Sequence, residues 1–165
     1  NYATHYLTGE TMPAELLNKV IDSEQFNQGY ATVEYLAASV IDMELHQLSV
    51  GQLPTAKELA EFEVRSINKY GLNLNMVPPR YKSVYFSHIM GGYSAGYYAY
   101  IWSEVLDADT VAWFNDGEGS LRGKGDHLRS SVLSRGNTQE VMSLYYEFRG
   151  READVNYLLK RRGLN

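Results

Sequence analysis

Residues His88 to Trp102 read HIMGGYSAGYYAYIW. The stretch holds one histidine, three glycines and four tyrosines in fifteen residues. A helical pattern begins inside it and predicts a helix from near Ser94 to about Phe114. On that helix Tyr93, Tyr97, Tyr100 and Glu104 fall at offsets of zero, four, seven and eleven, so they share one face. Tyr98, Ile101, Trp102 and Val105 form an adjoining, more apolar arc.

Two readings of this stretch compete. In the plain one, the tyrosines are aromatic core or a binding face of a non-catalytic helical module. Against it, Gly91-Gly92 makes an expensive helix entry, because glycine loses much backbone entropy on ordering. Buried phenols also each need a hydrogen-bond partner. In the second reading, a glycine-hinged loop carries His88 and tyrosine hydroxyls over a substrate and donates hydrogen bonds to it. A phenol keeps its proton near neutral pH. Aimed in advance at a developing oxyanion, one such donor is worth about 3–4 kcal/mol of barrier. The stretch holds no nucleophile for amide hydrolysis, so another group must supply the attack, such as a metal-bound hydroxide.

Working outward, most of the chain has helical signals. Pro13 suits a first helical turn, followed by the apolar stripe Leu16, Leu17, Val20 and Ile21. A second helix is expected from about Glu24 to Leu48, with Phe26, Tyr30, Val33, Ala37, Val40 and Glu44 along one stripe. Thr55 with Glu58 forms a capping-box pattern for the next helix, and Gly71 ends it as a left-handed cap. Pro78-Pro79 forbids helix. Arg80 to Ile89, rich in aromatic and β-branched residues, is expected to be extended. Gly117, Gly119, Gly123 and Gly125 predict a loose connection. Helices follow at about Asp126–Arg135, from an Asn137–Glu140 cap to about Phe148, and at about Arg151–Arg162, where Lys160, Arg161 and Arg162 suit a helix C-terminus. The expected fold is all-α, one helical unit over residues 1–165 with at most one short extended segment.

Composition narrows the function classes. The 165 residues carry a net charge of −5 with a pI near 5.4, which argues against a nucleic-acid partner. No apolar run approaches the ~18 residues of a membrane span, and no signal-peptide pattern opens the chain. The absence of cysteine excludes disulfides, thiolate nucleophiles and cysteine-based zinc sites. It leaves the compartment open; the cytoplasm is the expectation and the periplasm the alternative. The histidines are His5, His46, His88 and His127, and none belongs to an H-E-x-x-H motif. Asp42 and His46 have a metal-compatible i, i+4 spacing, but one such pair reads more simply as a hydrogen-bonded pair on a helix surface. His127 reads as a surface residue. No metal ligands are assigned within the chain.

The segment YFSHIMGGYSAGYYAYIWSEVLDAD resembles the glycine–tyrosine loop of the zinc metallopeptidases that include thimet oligopeptidase, oligopeptidase A and bacterial peptidyl-dipeptidase. HYLTGETMPAELLNKV and FNQGYATVEYLAASVIDMELH resemble the helices that follow that family's metal site. LSRGN, FRGRE and RRGLN resemble the C-terminus of its peptidyl-dipeptidase branch. The resemblance implies the C-terminal portion of a zincin-type catalytic domain, in a parent enzyme that releases dipeptides from the C-terminus of short peptides. It implies a Zn2+ cofactor whose ligands lie outside this chain, and the Asn1 start fits a truncated or processed chain. The expected partners are short peptide substrates and the remainder of the catalytic domain. Alone, the chain is expected to be inactive, to bind no zinc, and to self-associate through surface its missing half would cover. By motif position Tyr100 is implied as the oxyanion donor, with Tyr93 assisting. His88 is implied to hydrogen-bond the substrate backbone. Gly91 and Gly92 would hinge the loop, and Tyr97 lines the same stripe without a specific role. A C-terminal dipeptidase must also hold a free carboxylate, which Arg or Lys suits; neither Arg80 nor Lys82 is singled out.

Overall fold

A computed structural model describes residues 2–164. Its helices are α1 (Ala14–Ser23), α2 (Gln28–His46), α3 (Leu59–Asn68), α4 (Ala99–Phe114), α5 (Leu121–Leu128), α6 (Val141–Arg149) and α7 (Asn156–Arg161). Among the described residues there is no β-strand, only the isolated bridges Thr4–Thr11 and Leu74–Val77. The all-α expectation is met. No described helix is long and apolar enough to cross a membrane.

α2 organises the half of the molecule that holds the glycine–tyrosine stretch, because it buries two faces. Ala37 and Ile41 pack with Ile67 of α3, supported by Val40 and Leu72. One position around, Ala38 packs with Phe86, Ile89 and Tyr97, flanked by Tyr35, Leu45 and Tyr81. A helix covered on both sides has no single apolar stripe. Glu44, placed on the expected stripe, instead accepts hydrogen bonds from Lys69 Nζ at 2.8 Å and the Tyr70 hydroxyl at 2.7 Å. In the other half, α4 packs on α7 through Val105, Ala108 and Leu158. Arg162 joins the halves, donating to Thr32 Oγ1 of α2 at 2.7 Å and to Glu104 of α4 at 2.5 Å. α1 buries no residue, and Leu16, Leu17, Val20 and Ile21 are each about half exposed.

Several boundaries differ from expectation, each for a local reason. α2 starts at Gln28 because Asn27 adopts a left-handed φ of 60°. Arg80 to Ile89 is not extended. It forms 3-10 turns at Ser83–Tyr85 and Ser87–Met90. A strand needs a paired edge, and here the aromatic side chains pack against α2 instead. Gly123 and Gly125 lie inside α5, not in a loose connection. Ser120 accepts from the Gly123 amide at 3.1 Å, and Lys124 Nζ binds the terminal carbonyls of α4, Trp113 at 2.9 Å and Phe114 at 3.1 Å. Those fixed ends offset the glycines' weak helix propensity. α5 continues into a π-helical turn at Arg129–Leu133. α6 is capped by the Glu140 carboxylate, which accepts from the amides of Met142 and Ser143. α7 begins at Asn156 because the preceding segment is committed elsewhere: Arg151 and the Asp154 amide both bind Asp109.

Candidate active site

The chain reaches the site across α2. The Arg80 amide donates to the Glu34 carbonyl at 3.0 Å, and the Ser83 amide donates to the buried Glu63 carboxylate of α3 at 2.6 Å. Tyr81 stacks on Phe86 with ring centroids 4.9 Å apart. The backbone then runs through consecutive turns. Ser94 N donates to Gly91 O, Gly96 N to Tyr93 O, and Ala99 N to Gly96 O. Regular α4 starts at Ala99, five residues later than Ser94. The cause is Ala95, a non-glycine residue at φ 56°. That left-handed geometry costs an L-residue about 1–2 kcal/mol and stops a helix. Tyr93 therefore precedes the helix, yet the turns fold it back beside Tyr100.

Asp42 stabilises this geometry. Its carboxylate is fully buried. Oδ1 accepts from the Ala95 amide at 2.8 Å and Oδ2 from the Tyr97 amide at 3.0 Å. His46 Nδ1 lies 2.9 Å from Oδ1. Hydrogen bonds to an ionised acceptor are roughly twice as strong as neutral ones. Two turns earlier on α2, the Tyr35 hydroxyl donates to the Tyr97 carbonyl and accepts from the Ile101 amide at 3.3 Å. The second bond satisfies an N-terminal amide of α4 that has no partner within the helix. Tyr35 and Tyr97 also stack at 5.0 Å.

The aromatic groups form two tiers. Below, Tyr97 is 3 % exposed and packs edge-on against Phe86 at 4.8 Å. Burial is the main cause that pushes its phenol up to about 12, with the nearby Arg80 charge opposing. Above, Tyr93 and Tyr100 stack at 5.3 Å and are 48 % and 40 % exposed. The Tyr100 phenol is raised from its ordinary value, chiefly by the Tyr93 hydroxyl beside it and then by burial. Both Tyr97 and Tyr100 thus keep their protons at neutral pH, and the exposed Tyr100 can offer its own to a molecule arriving from solvent.

His88 stands among these rings, 5.1 Å from Tyr97, 5.2 Å from Tyr81, 5.8 Å from Tyr93 and 6.1 Å from Tyr100. Its Nδ1 is closed off from solvent and has no hydrogen-bond partner. Gly91 and Gly92 are exposed, and a Cβ added at either would meet nothing within 4 Å.

The structure thus gathers His88, Tyr93, Tyr97 and Tyr100 at one place, with Gly91 and Gly92 in the turn between His88 and Tyr93. Sequence reading missed the residues that hold them. Asp42 and His46 are a pair, as expected, but the aspartate is buried beneath the loop, not on a helix surface. The available signal was its position, an acidic residue flanked by Ala38, Ile41 and Leu45 on a helix. Nothing in the sequence marked Tyr35. His127 is exposed, as expected, with its Nε2 3.0 Å from the Phe148 carbonyl.

Among the described residues no three His, Asp or Glu side chains converge on a point where a metal could sit. Those residues do not make a zinc site. The chemistry they can carry is binding, orientation and hydrogen-bond donation.

Comparison with known proteins places the chain in a family. The pattern of Peptidase family M3 matches residues 1–164. The chain is 40% identical to a dipeptidyl carboxypeptidase of Escherichia coli (strain K12), covering 99% of this chain and 24% of that protein. It is 41% identical to the Salmonella typhimurium dipeptidyl carboxypeptidase over the same shares, 99% and 24%. It is 33% identical to a probable cytosolic oligopeptidase A of Arabidopsis thaliana, covering 98% of this chain and 23% of that protein. The chain spans about a quarter of the length of these relatives. A glycine–tyrosine loop pinned to a helix, and a family pattern running through nearly every residue, give one conclusion: this chain belongs to peptidase family M3.

Proposed function

We propose that this chain forms the substrate-binding and oxyanion-donating part of a zinc peptidase that releases dipeptides from the C-terminus of short peptides. The observation that carries the proposal is the exposed Tyr93–Tyr100 pair beside His88, mounted on the buried Tyr97. The names of the Escherichia coli and Salmonella relatives support the choice of a C-terminal dipeptidase. Tyr100 donates its phenolic proton in a hydrogen bond to the carbonyl oxygen of the scissile amide. That bond strengthens as the oxygen becomes anionic. Tyr93 stacks on Tyr100, fixes its ring and adds a second hydroxyl. His88 hydrogen-bonds the peptide backbone. Gly91 and Gly92 let the segment close and exclude water. The remainder of the catalytic domain, which carries the zinc, packs on the half-exposed apolar stripe of α1.

The test is Tyr100→Phe in the intact peptidase. It removes one hydroxyl and keeps the ring. A donor used mainly on the oxyanion acts on the transition state, so its loss appears in kcat more than in KM. The expected fall in kcat is about 10²–10³-fold for one such donor, with little change in Tm. If Tyr100 is instead packing or part of an interaction face, Tm falls while kcat per folded molecule stays normal. That result would retire the assignment.

A further inference from the structure

Asp42 lies 53 residues before Ala95 in sequence, yet its carboxylate takes up two backbone amides of the glycine–tyrosine loop. Buried amides need an acceptor, and an ordinary helix entry supplies one for its first amides, as the Glu140 carboxylate does for α6. The anchor at Ala95 meets a further need that an ordinary entry lacks. The need arises because Ala95 is left-handed, and that geometry is what turns Tyr93 back onto Tyr100. An L-residue leaves this region readily unless held, and a helix starting near Ser94 would separate the two phenols. Its bonds to the loop are to backbone on either side of Gly96.

We infer that Asp42 is a positioning residue, which fixes the left-handed turn at Ala95 and so sets the Tyr93–Tyr100 pair in register for the reaction. The inference rests on the proposed role of Tyr100. His46, with Nδ1 within reach of both the Asp42 carboxylate at 2.9 Å and the Asp42 carbonyl at 2.8 Å, steadies the carboxylate from the next turn of α2. Asparagine cannot replace it. An amide side chain has one acceptor oxygen and one donating nitrogen, so one of the two loop amides, Ala95 or Tyr97, would face a donor. The site would keep its size and lose its geometry.

The experiment compares Asp42→Asn with the double variant Asp42→Asn/Ala95→Asn in the intact peptidase. Asparagine tolerates the left-handed region better than alanine. At position 95 it favours the required turn without help from Asp42. Two quantities are read. Hydrogen–deuterium exchange over residues 93–99, without substrate, reports loop anchoring independently of activity. Steady-state cleavage of a fluorogenic peptide reports kcat and KM. Asp42→Asn should speed exchange at the Ala95 and Tyr97 amides by about tenfold or more, since one bond in each molecule is lost. It should lower kcat by about 10–100-fold, the scale of an ångström-sized misplacement, with KM changed much less. Ala95→Asn should restore a substantial part of that kcat. A merely structural role predicts loss of Tm and of folded protein, with no recovery from Ala95→Asn; that outcome overturns the inference. Unchanged exchange over residues 93–99 overturns it as well, and faster exchange with normal kcat overturns its catalytic part. If Asp42→Asn loses kcat and recovers with Ala95→Asn while Tyr100→Phe is normal, Asp42 keeps its role and the oxyanion assignment fails instead.

Discussion

Asp42 and Asp109 are both fully buried carboxylates on long helices, and they do different work. Asp109 on α4 is met by side chains. Arg149 donates at 2.6 and 3.1 Å, Arg151 at 2.7 and 3.0 Å, and the Asp154 amide at 3.1 Å. Two guanidiniums on one carboxylate clasp α6 and the segment before α7 onto α4. Asp42 meets two loop amides and one histidine, with no guanidinium. The first site joins elements that are already formed. The second imposes a backbone shape that would not otherwise persist. A buried carboxylate that binds side chains therefore reads as a fastening, and one that binds backbone amides at a left-handed residue reads as a template.

The sharpest way to break this comparison is to remove the clasp. Asp109→Asn leaves two buried or half-buried guanidiniums short of a counter-charge. Breaking a buried pair this way costs about 3–5 kcal/mol, so urea denaturation followed by helical circular dichroism should show a marked loss of stability. Acid should mimic it. Burial opposes ionisation of Asp109, but Arg149, Arg151 and the Asp154 amide win and hold its carboxyl below the ordinary carboxylate range. A depressed folded pKa means that the contribution is complete above the unfolded value. It is lost as pH falls through the folded one. Unfolding free energy should therefore decline on acidification below the ordinary carboxylate range. Asp109→Asn should flatten that decline; an unchanged pH slope would show the clasp to be electrostatically idle.

Tyr35→Phe tests the second support of the loop. It deprives the Tyr97 carbonyl and the Ile101 amide of their shared hydroxyl while keeping the stack on Tyr97. The expected cost is about 1–3 kcal/mol for a buried group left unsatisfied, seen as a lower Tm, with kcat falling less than in Asp42→Asn. A kcat loss as large as that of Tyr100→Phe would move Tyr35 from support to the chemistry itself.

The smallest expected effect belongs to Gly91→Ala and Gly92→Ala. Neither position has a left-handed φ, and an added Cβ has open space around it. Stability should change by only a few tenths of a kcal/mol, within the usual range for surface substitutions. A modest fall in kcat with unchanged Tm would then report hinge motion alone. No change in turnover would remove the hinge from the account.

The helical character of the chain was legible in its periodicity and punctuation. Gly71 and Gly163 end helices in left-handed geometry where the patterns stop, and the boundaries of α1 and the end of α4 fall close to where the residues suggest. The stretch itself was legible too, because a glycine pair and clustered tyrosines leave a local signature. The buried Tyr97 and the exposed Tyr93 and Tyr100 were not separable by spacing. That distinction depends on where α2 lies, and α2 is far away in sequence.

By itself, then, the sequence determined an all-α chain without cysteine chemistry, and the glycine–tyrosine stretch that carries the candidate site. Tertiary structure alone decided that α4 starts at Ala99, that Arg80–Ile89 turns instead of extending, and that Asp42 lies under the loop. The physical reason is range. Helix periodicity and caps act within a few residues and are written locally. A buried carboxylate acquires its meaning from amides 53 and 55 residues away, and only folding brings them within 3 Å.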